Sequence, residues 1–295
     1  MKFATVSING RVSVAAISPE SDHAWIIDEL AGQPIGDMVA LIRAYDTIKS
    51  ELKSKGEGSA LKLSSLKLLA PMPRPPRNVF CVGKNYFAHA HEFTKSGFDS
   101  SASSAADAIP TAPIIFTKAP ETVIASGDNI LYPTGLSDSI DYEAELGVVI
   151  GKGGRNISKA DALDHVFGYT IINDMTARDL QSKHKQWFIG KSIDTFCPMG
   201  PWLVTKDEAD VANLQVKCWV NGELRQDANT ADLIFDVPTL IETLSAGLTL
   251  QPGDVIATGT PAGVGIGFDP PKYLARGDEV AIEISGLGRL VNKVA

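Results

Sequence analysis

Polar and apolar residues alternate over residues 1–20, interrupted at Asn9-Gly10, which predicts two strands joined by a tight hairpin. From Gly36 to Lys55 the period changes. Met38, Val39, Leu41, Ile42, Tyr45, Ile48 and Leu52 recur at helical spacing behind Asp37, a residue suited to the N-cap, so an amphipathic helix is expected there. Pro71, Pro73, Pro75 and Pro76 in "APMPRPPRNVF" can continue neither helix nor ladder. They place a domain boundary near residue 72, between a small N-terminal α/β domain (1–72) and a larger domain (73–295).

Beyond the boundary, short β-like runs dominate: 113–117 (PIIFT), 146–150 (LGVVI), 167–172 (FGYTII), 200–205 (GPWLVT), 214–220 (LQVKCWV), 255–259 (VIATG) and 280–284 (VAIEI). Three short helices fall between them: around 159–165, around 176–186 with Thr176 and Asp179 resembling a capping box, and around 237–246 ending at Gly247. The predicted fold class is mixed α+β and β-dominated, without regular βαβ alternation. No internal repeat is present. Residues 96–110 (SGFDSSASSAADAIP) are too rich in Ser and Ala to pack as core.

The 295 residues and a 44% hydrophobic fraction suit one large and one small domain. Net charge is -8 with both signs interleaved, so no basic surface for nucleic acid or membrane is expected. The N-terminal alternation reads as a hairpin rather than a signal peptide, and no stretch approaches the ~20 apolar residues of a membrane helix. Cys81, Cys197 and Cys218 are odd in number, widely spaced and set among apolar residues. Neither a disulfide framework nor a CxxC metal site is indicated, which points to a reducing, cytoplasmic compartment.

Candidate chemistry concentrates in two places. In "DYEAELGVVIG", Asp141, Glu143 and Glu145 would share one face of a strand. A solvated acidic edge is one reading. The other is a hard cation such as Mg²⁺ or Mn²⁺, since converging carboxylates need positive charge between them. Asp174, at a strand-to-helix turn, would add a fourth acid, or act as a cap. In "FCVGKNYFAHAHE", a helix sets His89 beside Glu92, a base held by a carboxylate, whereas a strand would pair His89 with His91 in an HxH arrangement. Surface histidines are the plain alternative.

Other signals are weaker. No GxSxG, HExxH or P-loop occurs. "TGTPAGVGIG", 258–267, lacks dinucleotide spacing and reads either as a β-turn or as a tight loop whose amides and Thr260 hydroxyl bind an anion. Lys191 lies within "QWFIGKSIDTF", either at a strand edge or as a buried ammonium requiring a partner.

Taken together and in order, "CVGKNYFAHAHE", "PIIFTKAP", "DYEAELGVVIGKGGRNI", "GYTIINDMTARDLQ", "QWFIGKSIDTFCPMGPWLVT", "QPGDVIATGTPAGVG" and "GDEVAIEISGLGRLVN" resemble the fumarylacetoacetate hydrolase family, from about residue 75 to the C-terminus. The resemblance implies a mixed β-roll in the large domain and a homodimer. It implies Mg²⁺ or Mn²⁺ on Glu143, Glu145 and Asp174, with Asp141 too near the pair to be taken as a ligand. Water activation would fall to His89 and Glu92. Gln181 and Lys191 would contact substrate and metal-linked oxygens, and Thr260 would hold the substrate carboxylate. His91 departs from the commoner residues at its position and receives no role.

The implied activity is hydrolysis of a small oxo-acid, a 2,4-diketo acid such as an acylpyruvate or fumarylpyruvate, to pyruvate or a substituted pyruvate plus a carboxylic acid. His89 would deprotonate the attacking water, the metal would stabilise the enolate, and Lys191 would add positive charge near the oxyanion. The same device would serve an oxaloacetate-type decarboxylase or a 2-hydroxyhepta-2,4-diene-1,7-dioate-type isomerase. A non-catalytic binding protein is the remote alternative. A lid over 88–110 and a pocket shaped by Phe87, Trp187 and Phe268 are further expectations.

Overall fold

The computed structural model describes residues 1–54, 60–95, 97 and 108–295. Strands β1 (Lys2–Ile8) and β2 (Arg11–Ile17) form the expected hairpin, with Asn9 and Gly10 at φ 50° and 81° as the tight turn requires. After β3 (His23–Ile26) and α1 (Ile27–Ala31), helix α2 (Met38–Ser54) covers the predicted amphipathic stretch, and Asp37 caps it through the Ala40 amide at 2.7 Å. Next come β4 (Val79–Gly83), α3 (Phe87–Lys95) and β5 (Ile114–Lys118). The site-bearing stretch is β6 (Ala144–Ile150), β7 (Val166–Asn173), α4 (Arg178–His184), α5 (Phe188–Lys191) and β8 (Cys197–Thr205). The chain ends with β9 (Gln215–Val220), β10 (Glu223–Asn229), α6 (Val237–Gly247), β11 (Val255–Ala257), β12 (Glu279–Ile284) and β13 (Gly288–Val294).

The larger sheet is mixed and runs β3-β2-β1-β8-β7-β6-β11-β4-β5, while β10-β9-β12-β13 form the main part of a second sheet packed across it. β1 joins β8 antiparallel, with Phe3 opposite Leu203, so the N-terminal segment and the larger C-terminal region share one sheet. β6 is buried along its whole length: Ala144, Leu146, Val148 and Ile150 enter the core between the sheets, while Val149 faces the core under α2. Glu145 lies on the Val149 face, at the strand's open end.

Several expectations need correction. The helix around 159–165 is a single 3-10 turn, Ala162–His165. At 176–186, Thr176–Ala177 form a short strand and the helix starts at Arg178. Its N-cap residue, Ala177, has no side-chain acceptor, and the expected capping box does not form: the Thr176 hydroxyl donates to Asp174 O and the Asp179 carboxylate accepts from Ser137. All three cysteines are buried and free. Among the described residues no helix is long and apolar enough to cross a membrane. Of the expected lid, 88–95 is helix, and most of 96–110 lies outside the described residues.

Candidate functional site

The register of β6 against β7 builds the acid cluster. Ala144 lies opposite Asn173 and Glu145 opposite Ile172. Where the ladder ends, Glu143 N donates to Asn173 Oδ1 at 3.0 Å and Asp174 N to Glu143 O at 2.9 Å, drawing Asp174 alongside Glu143. One carboxylate oxygen from each of Glu143, Glu145 and Asp174 then lies within 4.8 Å of the other two, all three side chains being buried.

Such proximity disfavours joint ionisation unless cations intervene. Lys191 Nζ lies 2.7 Å from Glu143 Oε2 and 2.8 Å from Asp174 Oδ2, and Lys118 Nζ donates to Asp174 Oδ1 at 2.7 Å. Arg178 Nη2 is 2.7 Å from Glu143 Oε1. Burial opposes ionisation of Glu143, but Lys191 and Arg178 outweigh it and bring its pKa down to about 2. Glu145 differs. Burial, then Asp174 and Glu143, push its pKa well above the carboxylate range, despite a 2.8 Å hydrogen bond from Gly259 N. An all-oxygen donor set with this crowding of negative charge fits a hard divalent ion such as Mg²⁺ or Mn²⁺.

The third acid of the opening alternation is elsewhere. Residues 142 and 143 leave strand geometry, and Asp141 turns to accept from Arg178 Nε at 2.8 Å, Gly265 N at 2.6 Å and Ile266 N at 3.0 Å. It therefore anchors Arg178 and a loop, and the three carboxylates of 141–145 do not share one face.

α3 resolves the histidine alternatives in favour of the helix. His89 is buried, its Nδ1 is 3.0 Å from Glu92 Oε2, and His91 is exposed two residues further on. Glu92 Oε1 in turn accepts from Gly263 N at 2.9 Å. The glycine-rich stretch 258–267 is thus neither a bare turn nor a cradle with these amides left for an outside anion. They receive this protein's own acids: Gly259 takes Glu145, Gly263 takes Glu92, and Gly265 with Ile266 takes Asp141. The Thr260 hydroxyl accepts from Gln226 Nε2 at 2.8 Å, which leaves its own proton to donate.

One cavity collects these groups. Its lining includes the polar His89, Glu143, Glu145, Arg178, Gln181, Lys191 and Thr260 and the apolar Val82, Phe93, Phe116 and Trp187, around a free volume of about 20 Å³. Trp187 lines it, as expected. Phe87, 53% exposed, and Phe268, stacked under Arg225 and Lys272, do not.

Four residues at or behind these walls were not singled out by sequence: Lys84, Lys118, Arg178 and Gln226. Lys118 had a usable signal, because it closes the apolar run "IIFT" and a buried ammonium needs a partner, the argument applied to Lys191. Arg178 and Gln226 act through pairings 37 and 34 residues away in sequence, which no local pattern reports.

Comparison with known proteins identifies the family of the chain. Residues 78–295 match the family model for the fumarylacetoacetate (FAA) hydrolase C-terminal region. The chain is 47% identical over 314 aligned positions to the oxaloacetate tautomerase YisK of Bacillus subtilis (strain 168), covering 100% of both chains. Its fold matches a fumarylacetoacetate hydrolase from psychrophilic Exiguobacterium antarcticum at TM-score 0.85 and 40% identity, covering 100% of this chain and 99% of that one. A maleylpyruvate hydrolase from Sphingobium sp. SYK-6, solved in complex with manganese(II) and pyruvate, matches at TM-score 0.81 and 31% identity over 100% and 99% of the two chains. With the family model covering most of its length, this chain belongs to the fumarylacetoacetate hydrolase family.

Proposed function

We propose that this chain is a divalent-metal-dependent enzyme that interconverts the keto and enol forms of a small, oxaloacetate-like 2-oxo acid. The carrying observation is the single cavity into which Glu143, Glu145, His89, Lys191 and Thr260 all project. Held by Glu143, Glu145 and Asp174, Mg²⁺ or Mn²⁺ would supply a Lewis acid favouring the negative charge that builds on the C2 oxygen as a C3 proton leaves.

His89 moves that proton. Its Nδ1 is engaged by Glu92, so Nε2 meets the substrate, and the carboxylate favours the imidazolium formed on proton uptake. Return of the proton to the C2 oxygen completes the conversion with no change in composition. Gln181 Oε1 accepts from Arg178 Nη1 at 3.1 Å, leaving its NH₂ to donate to a substrate oxygen, as the Thr260 hydroxyl does. Lys191 holds Glu143 and Asp174 in register and adds positive charge beside the enolate oxygen. Phe93, Phe116 and Trp187 add apolar lining to the cavity that holds these groups. The whole-length similarity to an oxaloacetate tautomerase supports the same reading.

The His89–Glu92 pair also favours a second reading, hydrolysis of an acylpyruvate, in which His89 deprotonates a water attacking the C4 carbonyl. The likeness to a maleylpyruvate hydrolase lends it weight. A homodimer is part of the proposal. The experiment monitors decay of enol-oxaloacetate absorbance with Mn²⁺ or Mg²⁺, an EDTA control, and an acylpyruvate panel in parallel. Metal-dependent acceleration that His89→Ala reduces roughly 10²- to 10⁴-fold is expected. Cleavage of acylpyruvates without effect on oxaloacetate would replace the first reading by the second.

A further inference from the structure

Of the seven residues of β10, only Gln226 is buried, and it is fully so. The ladder with β9 sets Cys218 opposite Gln226 and Trp219 opposite Leu224, so Arg225 is an extra residue, a bulge of the kind that re-aims a side chain. The Gln226 amide reaches out of its own sheet to β6 and to the loop at 258–267. Its Oε1 accepts from Ala144 N at 3.1 Å, while Nε2 donates to Pro261 O at 2.7 Å and to Thr260 Oγ1 at 2.8 Å. A leucine or methionine would fill a similar volume without a buried polar group, so packing alone does not call for a glutamine here.

Two of the three partners leave no choice of orientation. Ala144 N can only donate and Pro261 O can only accept, so the oxygen of the amide faces β6 and its nitrogen faces the loop. The second N–H on that nitrogen makes the Thr260 hydroxyl an acceptor. Among the described residues no group takes the hydroxyl's own proton, and Thr260 lines the cavity. Ala144 needs the contact as well. Thr258 N donates to Leu146 O at 3.0 Å, on the edge of β6 to which Ala144 N also points, but β11 pairs with β6 only over Gly147–Val149 and Ala144 lies beyond the end of that ladder. The loop is seated closely on the bulge: a Cβ on Gly263 would collide with Arg225 O and lie 3.3 Å from Gln226 Cγ. Since Ala144 stands between Glu143 and Glu145, one side chain ties the stretch carrying two candidate metal ligands to a hydroxyl of the cavity wall.

We propose that Gln226 is a positioning residue of the site: it makes the Thr260 hydroxyl a fixed donor towards the substrate and keeps it in register with Glu143 and Glu145. The proposal rests on the oxo-acid reading of the cavity and deepens it by naming what sets the direction of one substrate contact.

The test reverses the polarity of one hydrogen bond. Gln226→Glu keeps the shape and the bond from Ala144 N, but the introduced carboxylate can only accept, so the Thr260 proton turns away from the cavity. Malate, a 2-hydroxy acid that chelates a metal and has no keto group to enolise, is titrated calorimetrically into protein saturated with Mn²⁺. Gln226→Glu and Thr260→Val should each weaken malate roughly 10- to 100-fold, the range of one hydrogen bond to a charged group. The double variant should bind no worse than Thr260→Val alone. Thr260→Ser, which keeps the hydroxyl, should bind malate as wild type does and regain the full penalty of Gln226→Glu. An equal loss in all three backgrounds would mean that the added negative charge repels the ligand directly, and it overturns the proposal. So does a wild type that does not bind malate, or a Thr260→Val variant that binds it undiminished. If Gln226→Glu does not fold, Gln226→Met, which removes the donor without adding charge, goes through the same cycle with the same dependence on the Thr260 hydroxyl expected. Because malate does not react, absence of turnover on oxaloacetate would refute the assigned reaction while the coupling between positions 226 and 260 is still read.

Discussion

A single buried ammonium, Lys118, joins Asp174 Oδ1, Met175 O and Lys191 O, and so ties a candidate metal ligand to the helix end that carries Lys191. Lys118→Met would leave a buried carboxylate short of positive charge, and removing one partner of such a pair costs about 3 kcal/mol or more. Urea unfolding of the metal-free variant should show that loss, and added Mn²⁺ should restore part of it. Glu92 offers a second test. A Cβ on Gly267 would sit 2.0 Å from Glu92 Oε1, so Gly267→Ala must displace the carboxylate that orients His89. Turnover should fall on the order of 100-fold, the scale of a small misplacement at a reacting centre, while Mn²⁺ affinity measured by calorimetry is unchanged. The closeness of Glu143 to Glu145 and of His89 to Glu92 follows from local spacing in the sequence, whereas Asp174 joins the acids through strand pairing 31 residues after Glu143 and was marked by its place after an apolar strand and by the family resemblance. Asp141 misled, since period-2 alternation assumes a continuous strand and the chain leaves that geometry at residues 142 and 143.

Helix α6 shows what capping contributes at the scale of an element. Asp236 accepts from Thr239 N at 2.9 Å and lies 3.0 Å from Lys159 Nζ. Partial burial raises its pKa, but the Thr239 and Lys159 contacts more than offset this and leave it below the ordinary value. Asp236→Ala should therefore cost about 1 kcal/mol at neutral pH. A carboxyl depressed by folding stabilises above its unfolded pKa and loses that contribution as pH falls through the folded one. The gap in urea midpoint between wild type and variant should accordingly close as the pH drops below the usual carboxylate range. Element recognition from sequence tracked the strength of periodicity. α2 and the long apolar strands stood out, whereas β10, "ELRQDAN" at the edge of its sheet, carries polar residues at most positions and offers no apolar alternation to detect.

Across the whole molecule, what was hardest to foresee is pairing between distant segments. The N-terminal hairpin docks on β8, Met1 N donates to Thr205 Oγ1 at 2.6 Å, and Thr5 Oγ1 donates to Pro71 O at 2.6 Å, contacts with no local signature. Light scattering should give twice the 31.4 kDa chain mass if the proposed homodimer forms, and a single chain mass would reject it. The loop at 258–267 has a consequence for how the protein can be watched. Its amides at Gly259, Gly263 and Gly265 each report on a different acid, the first on a ligand candidate, the second on the histidine's partner, the third on the arginine's. In an ¹⁵N-labelled sample these three glycine signals, which fall in a sparsely populated region of the spectrum, form a built-in read-out: ion loading should move the first most, a ligand at His89 the second, and a peak that stays still names the part of the site left undisturbed.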